Sequence, residues 1–231
     1  VQGFRLCAAD RPLDLTLSRG EIICLADSTS TNADQILHAL YGLLPFSCYH
    51  YSVCEKPLPT LRPDLSFAYG MLLVRHLEGM DELLPNASVQ ENIALPLLRR
   101  SASALGIIRQ QFLSMEIASA AQTVGVHPEQ LSGMLTPELL LRVQLARILL
   151  SHRSVLLLEN PFNGLNPSDD LLLRSFLHYF AAAGNCVLFS TTHLSSEMCF
   201  CTHYYQFSHG ELHEIHAAEE QNADDQEVSI S

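Results

Sequence analysis

Several groups of side chains in this chain are of types that do chemistry. Residues 27–32 (Asp27, Ser28, Thr29, Ser30, Thr31 and Asn32) form a polar loop between an apolar run and a helical pattern. Asn32 is a good N-cap for that helix, and Asp34 in its first turn gains about 0.3–1 kcal/mol from the helix dipole. Taken alone, Asp27 and Asp34 read as turn and cap chemistry. Thr191-Thr192-His193 closes a later apolar run, where the imidazole reads first as a structural hydrogen-bonding group. Cys199, Cys201 and His203, with His209, His213 and His216 nearby, are soft-metal ligand types. Their spacing is irregular, so a metal site is the disfavoured reading. Phe4 reads as core, and the acidic pairs Asp81-Glu82 and Glu219-Glu220 as solvated loops.

The elements that must hold these groups alternate in a simple way. Short, continuously apolar runs at 21–26, 154–158 and 186–190 predict buried strands. Helical patterns occupy 33–43, much of 94–126, 138–150 and 171–183. Buried strands separated by helices predict a parallel sheet covered on both faces. Residues 45–66, with four prolines, read as loop and edge-strand material. The apolar helix at 139–150 reads as core.

Composition narrows the function classes. Of 231 residues, 48% are apolar and 16% charged, and Asp+Glu outnumber Lys+Arg 25 to 13, for a net charge of −12. With Lys56 the single lysine, the chain lacks the clustered cations that neutralise phosphates, which argues against a nucleic-acid partner. No apolar stretch is long enough to predict a spanning helix, and the N-terminus lacks a signal-peptide core. Seven irregularly spaced cysteines fit a reducing compartment, so a cytoplasmic location is expected.

Several segments, in order, carry a family resemblance. They are Gly20-Glu21 with the strand, loop and helix that end at Tyr41-Gly42-Leu43; residues 84–93; and Val143-Gln144-Leu145-Ala146-Arg147. Then follow residues 156–161, Gly164-Leu165-Asn166-Pro167, Thr191-Thr192-His193, and Ser208-His209-Gly210-Glu211-Leu212. From about residue 13 to 213 the chain resembles the ATP-binding (nucleotide-binding domain) subunits of ABC transporters. Residues 91–97 and 160–162 look most like those of lipid-transport, Mce-associated members. The resemblance implies an α/β P-loop NTPase fold with a RecA-like core at about 1–66 and 150–216. It also implies a reduced antiparallel β region and a helical subdomain at about 85–145. One domain would span 1–216, with an acidic tail at 217–231. ATP with Mg²⁺ is the implied cofactor. A membrane-spanning subunit and a second ABC ATPase subunit are the implied partners, at the cytoplasmic face of the membrane.

The same alignment shows departures. The family's phosphate loop falls on Asp27 to Gln35, with its glycines at Asp27, Ser30 and Asn32, its lysine at Ala33 and its Ser/Thr at Asp34. That loop works because glycines let N–H groups converge on phosphate while lysine balances the charge. Each carboxylate–phosphate pair at roughly 4 Å instead costs about 1 kcal/mol in water and about 4 kcal/mol near a protein surface. Asp34, with Asn32 as N-cap, is therefore expected to stand electrostatically where the phosphate would be. The signature motif falls on residues 135–139, where Pro137 lacks an N–H and Glu138 repels phosphate; a rival placement is Leu131-Ser132-Gly133. The Walker B metal position is Glu159, and the general-base position is Asn160, which accepts no proton. The glutamine-loop position falls on Gly79 and the D-loop aspartate on Asn166, leaving His193 at the switch position.

The expected function is that of a structural or coupling subunit of a membrane lipid or solute transporter, with weak or absent ATP binding and little hydrolysis. An importer ATPase with atypical motifs and a cytosolic adaptor built on the same fold are the alternatives.

Overall fold

The structure, a computed structural model, describes residues 1–6, 12–28, 31–58, 61–75, 77, 83–101, 110–192, 200–208 and 211–215. A six-stranded sheet runs through it in the order β4-β5-β6-β1-β7-β8. These strands are β1 (Ile22–Ala26), β4 (Met71–Val74), β5 (Val155–Leu158), β6 (Cys186–Thr191), β7 (His203–Ser208) and β8 (Glu211–Ile215). The first five pair in parallel, and β8 returns antiparallel on β7 as a closing hairpin. The three apolar runs read as buried strands are β1, β5 and β6. β1 and β6 are buried at every residue, because helices cover both faces of the sheet.

Alternate side chains of the central strands divide between two cores. Ile22, Cys24, Leu156, Leu158, Val187 and Phe189 face one core, and Ile23, Leu25, Leu157 and Leu188 the other. The first core receives α3 (Val89–Ser101), α4 (Gln110–Val124), α5 (Pro137–Ser151) and α6 (Pro167–Ala182). The second receives α1 (Thr31–Tyr41) and the N-terminal segment through Phe4 and Leu15. Phe4 is buried against Phe46, with ring centroids 4.7 Å apart, so its core role holds. The buried side of α5, including Leu141, Val143, Leu145 and Ala146, is core as expected.

The region 45–66 contains more structure than loop and edge strand. β2 (Ser52–Val53) and β3 (Lys56–Pro57) form a small antiparallel hairpin, joined by isolated bridges between the N-terminal segment and residues 47 and 50. α2 (Pro63–Ala68) then starts with proline at its first turn, a signal that the sequence reading passed over. β4, an apolar run of four residues like β5, was also missed. Gly42 ends α1 at φ +90°, where an added Cβ would lie 2.7 Å from the Arg62 backbone nitrogen.

Helix ends follow cap chemistry. Thr136 is the N-cap of α5, accepting the Leu139 N–H, with Pro137 next. Residues 132–134 form a separate 3₁₀ turn tied to Pro85 by the Gly133 N–H at 2.8 Å. α6 begins a full turn before the pattern at 171–183 because Asn166 caps it and Pro167 opens it. The acidic tail, Asp81-Glu82 and Gly79 lie outside the described residues.

Candidate functional site

β1, β5 and β6 end at a common level. Ala26 pairs with Thr191 and Leu158 with Phe189, so Asp27, Glu159, Asn160 and Ser190 gather at the carboxyl ends of adjacent parallel strands. Ligands of open α/β sheets bind in the crevice beyond such ends. α1, beginning at Thr31, starts close to the same strand ends.

Asp27 is 3% exposed, and its Oδ2 accepts the Asn32 N–H at 2.8 Å. A carboxylate from the chain itself thus meets an N–H of the α1 first turn. Asp34 faces sideways, toward the strands. Ser190 Oγ donates to its Oδ1 at 2.5 Å, and Asn160 Nδ2 lies 3.2 Å from both carboxylate oxygens. The Asn160 N–H closes the network by donating to Ser190 Oγ at 3.0 Å. Asn160 sits at φ +40°, a left-handed conformation that asparagine tolerates better than most residues. One turn along α1, His38 Nε2 contacts the Glu159 carboxylate. Two successive turns of α1 are therefore tied to the end of β5.

Burial raises the Asp34 carboxyl above its ordinary value, against the Ser190 hydroxyl and His38, which favour the ionised form. The charge of Asp27 adds to the rise, and the Asn160 amide opposes it. Electrostatically, the site gathers three carboxylates: Asp27 at the start of α1, Asp34 held by Ser190 and Asn160, and Glu159 beside His38.

One expectation needs correction. Asn32 is not the N-cap: α1 already includes Thr31, and the Asn32 N–H is bonded to Asp27. Asp34 is held by Ser190 and Asn160 at the strand ends. Asp27 accepts an N–H of the first turn of α1.

Ala33 is 1% exposed and packs in the second core, Ser28 is exposed, and Gln35 is half-buried. Thr29, Ser30 and His193 lie outside the described residues. Sequence reasoning missed Ser190 and His38. The one signal for Ser190 is a hydroxyl near the end of an otherwise apolar strand. For His38 it is the i, i+4 relation to Asp34, which puts both on one helix face.

Asn166 caps α6 by accepting the Asp169 N–H at 2.9 Å, and Glu138 pairs with Arg142 at 3.0 Å. β7 starts at His203, with Cys201 just before it, and Cys199 lies outside the described residues. His203 Nδ1 lies 2.8 Å from Glu214 across the hairpin. Among the described residues, no group of three or more His, Cys, Asp or Glu is placed to hold a metal ion.

The architecture matches a solved structure, CbiO1 from Clostridium perfringens, part of the ABC transporter complex cbiONQ. The match has TM-score 0.76 at 16% identity and covers 96% of this chain and 89% of that one. The fold is that of an ABC ATPase.

Sequence relatives agree with the ABC ATPase fold. The molybdenum import ATP-binding protein ModC of Mycobacterium tuberculosis is 29% identical over 201 residues, covering 82% of this chain and 52% of that protein. The nickel import ATP-binding protein LarO of Lactiplantibacillus plantarum is 26% identical over 188 residues, covering 78% of this chain and 75% of LarO. The ribose import ATP-binding protein RbsA of Pseudomonas putida is 26% identical over 231 residues, covering 97% of this chain and 44% of RbsA. The chain thus spans about half the length of ModC and less than half of RbsA. No family model matches it. In sequence and fold, the chain is similar to ATP-binding subunits of ABC importers. Among the described residues, no helix is long and apolar enough to cross a membrane.

Proposed function

We propose that this chain is an ATP-binding-type subunit of an ABC transporter whose own nucleotide site has become structural. One observation carries the reading: where relatives in the family place cation and metal-binding groups, this chain builds an internal polar network. Asp34 is bonded to Asn160 and Ser190, and Asp27 already accepts an N–H of the α1 first turn. ATP with Mg²⁺ fits these residues poorly, because a triphosphate would face Asp27 and Asp34 with alanine at position 33. Asn160 supplies no base for an attacking water. The chain would then serve a transporter by packing against a membrane-spanning subunit and pairing with a second ATPase subunit at the cytoplasmic face. The domain division at 1–216, with a helical subdomain at about 85–145, belongs to the same proposal.

The relatives favour a second reading, an importer ATPase working with atypical residues. They are named for importing molybdenum, nickel and ribose. The finer likeness to lipid transporters has no support among them, so the cargo proposed is a solute whose class is left open. Calorimetric titration with ATP, with and without Mg²⁺, separates the two readings. The structural reading expects no saturable heat at submillimolar ATP. Submillimolar affinity, with Mg²⁺-dependent phosphate release lost in His193→Ala, would establish the importer ATPase instead.

A further inference from the structure

The residues that lead into β7 fold over one face of the sheet. Phe200 stacks on Phe189 of β6, with ring centroids 6.1 Å apart and the planes within 3° of parallel. Phe189 is the register partner of Cys24 on β1, and the residue after Phe200, Cys201, packs against the same core as Cys24. Thr202 then fixes the start of β7. Its N–H donates to the Ile22 carbonyl at 2.8 Å, and its hydroxyl accepts the Ile22 N–H at 3.0 Å.

This path brings two thiols together. Cys24 is fully buried, Cys201 is half-buried, and the Cys24 S–H donates to the Cys201 sulfur. Both are free cysteines. The contact with Cys201, reinforced by burial, raises the Cys24 thiol above its ordinary value, so it keeps its proton. A solitary buried cysteine behaves as a small apolar side chain. Here one sulfur is open to a solute in water, and a second, shielded sulfur rests against it. That is the arrangement of an oxidisable thiol with a resolving partner. Cys54 and Cys186 offer a comparison within the same chain, since each contacts Ser154 instead, at the hydroxyl and the carbonyl oxygen respectively, both at 3.6 Å.

We propose that Cys24 and Cys201 are a redox pair, which a hydroperoxide oxidises to a disulfide that pins the start of β7 to β1. In the first step the Cys201 sulfur attacks the peroxide, the O–O bond breaks, and Cys201 becomes a sulfenic acid as one water leaves. In the second the Cys24 sulfur attacks that of Cys201. The S–S bond forms, the S–O bond breaks, and the Cys24 proton departs with the hydroxyl as a second water. Two electrons pass from the two thiols to one peroxide, and an external dithiol reverses the change by exchange. The inference does not depend on whether the strand-end site takes a nucleotide.

The test treats the reduced whole chain, dilute enough to stay monomeric, with hydrogen peroxide and maps the products by peptide mass spectrometry. The expected product is the native chain less two hydrogens, with Cys24 linked to Cys201, and dithiothreitol restores the starting mass. The linked chain should unfold about 5 °C above the reduced one, because a cross-link closing a long loop constrains the unfolded state. Cys201→Ser should show neither the link nor the rise, and Cys24→Ala should stop at a Cys201 sulfenic acid that dimedone captures. Linkage of Cys54 to Cys186 with Cys24 still a thiol, over-oxidation of Cys201 with Cys24 unlinked, or a linked chain no more stable than the reduced one would each overturn the proposal. The mapping is read on the native chain, so it stands even if a variant fails to fold.

Discussion

Asp34 and Asn160, 126 positions apart in the chain, meet with both Asp34 carboxylate oxygens 3.2 Å from the Asn160 amide nitrogen. The contact joins the first turn of α1 to the second residue beyond β5. Ser190 completes a triangle by donating to Asp34 and accepting from the Asn160 backbone. An ionised acceptor strengthens such bonds, while partial exposure weakens them. Asp34→Ala and Asn160→Ala should therefore each destabilise the fold, and the double variant should lose less than the two single losses combined. A coupling energy of about 1–2 kcal/mol is expected from urea unfolding in a double-mutant cycle. Strict additivity would mean that the two side chains act independently.

The raised Asp34 carboxyl gives a pH dependence whose sign is opposite to that of a salt-bridged aspartate. Unfolded, Asp34 loses its proton near the ordinary value of about 3.9; folded, it keeps it to higher pH. In that window the native state holds more protons, so stability falls as pH rises and levels off once native Asp34 has ionised. In Asp34→Asn this part of the slope should vanish. The stability of the native chain minus that of the variant should decline from pH 4 upward, when both are unfolded in urea across a pH series. A difference that grows with pH would show that Asp34 ionises more readily in the fold than out of it.

Asn166 accepts the Asp169 N–H, and its own Nδ2 donates to Asp169 Oδ2 at 2.7 Å. Loss of this cap in Asn166→Ala should cost about 1 kcal/mol, and Asn166→Ser should recover much of it. Thermal unfolding of the two variants checks the order. If Asn166→Ala matched the native chain, the cap would contribute nothing measurable.

Gly42 combines φ +90° with a backbone neighbour at 2.7 Å from any Cβ. Gly42→Ala must therefore distort either the end of α1 or the segment leading into α2. Both strain and clash oppose it, so a loss greater than about 1 kcal/mol is expected. Gly184→Ala is a fitting control, because its φ is +85° but nothing lies within 4 Å. The control should lose less in chemical denaturation, and the reverse order would remove the steric account.

Much of the core was legible because burial leaves a mark on short runs. β1, β5 and β6 are continuous in apolar residues since both faces of the sheet are covered, and α5 announces itself by Thr136-Pro137-Glu138. β4 and α2 left fainter marks, a run of four apolar residues and a proline in the first turn, and β4 becomes a strand by pairing with β5.

For the site, the sequence by itself determined which groups are present: carboxylates at 27 and 34, alanine at 33, and an amide at 160. It could not determine which carboxylate meets the helix end and which is held by the strands. That choice depends on the direction in which each side chain leaves its backbone and on partners more than a hundred residues away. Only the packing of α1 against the sheet at β6 brought Asp34 to Asn160 and Ser190, while Asp27 accepts the Asn32 N–H.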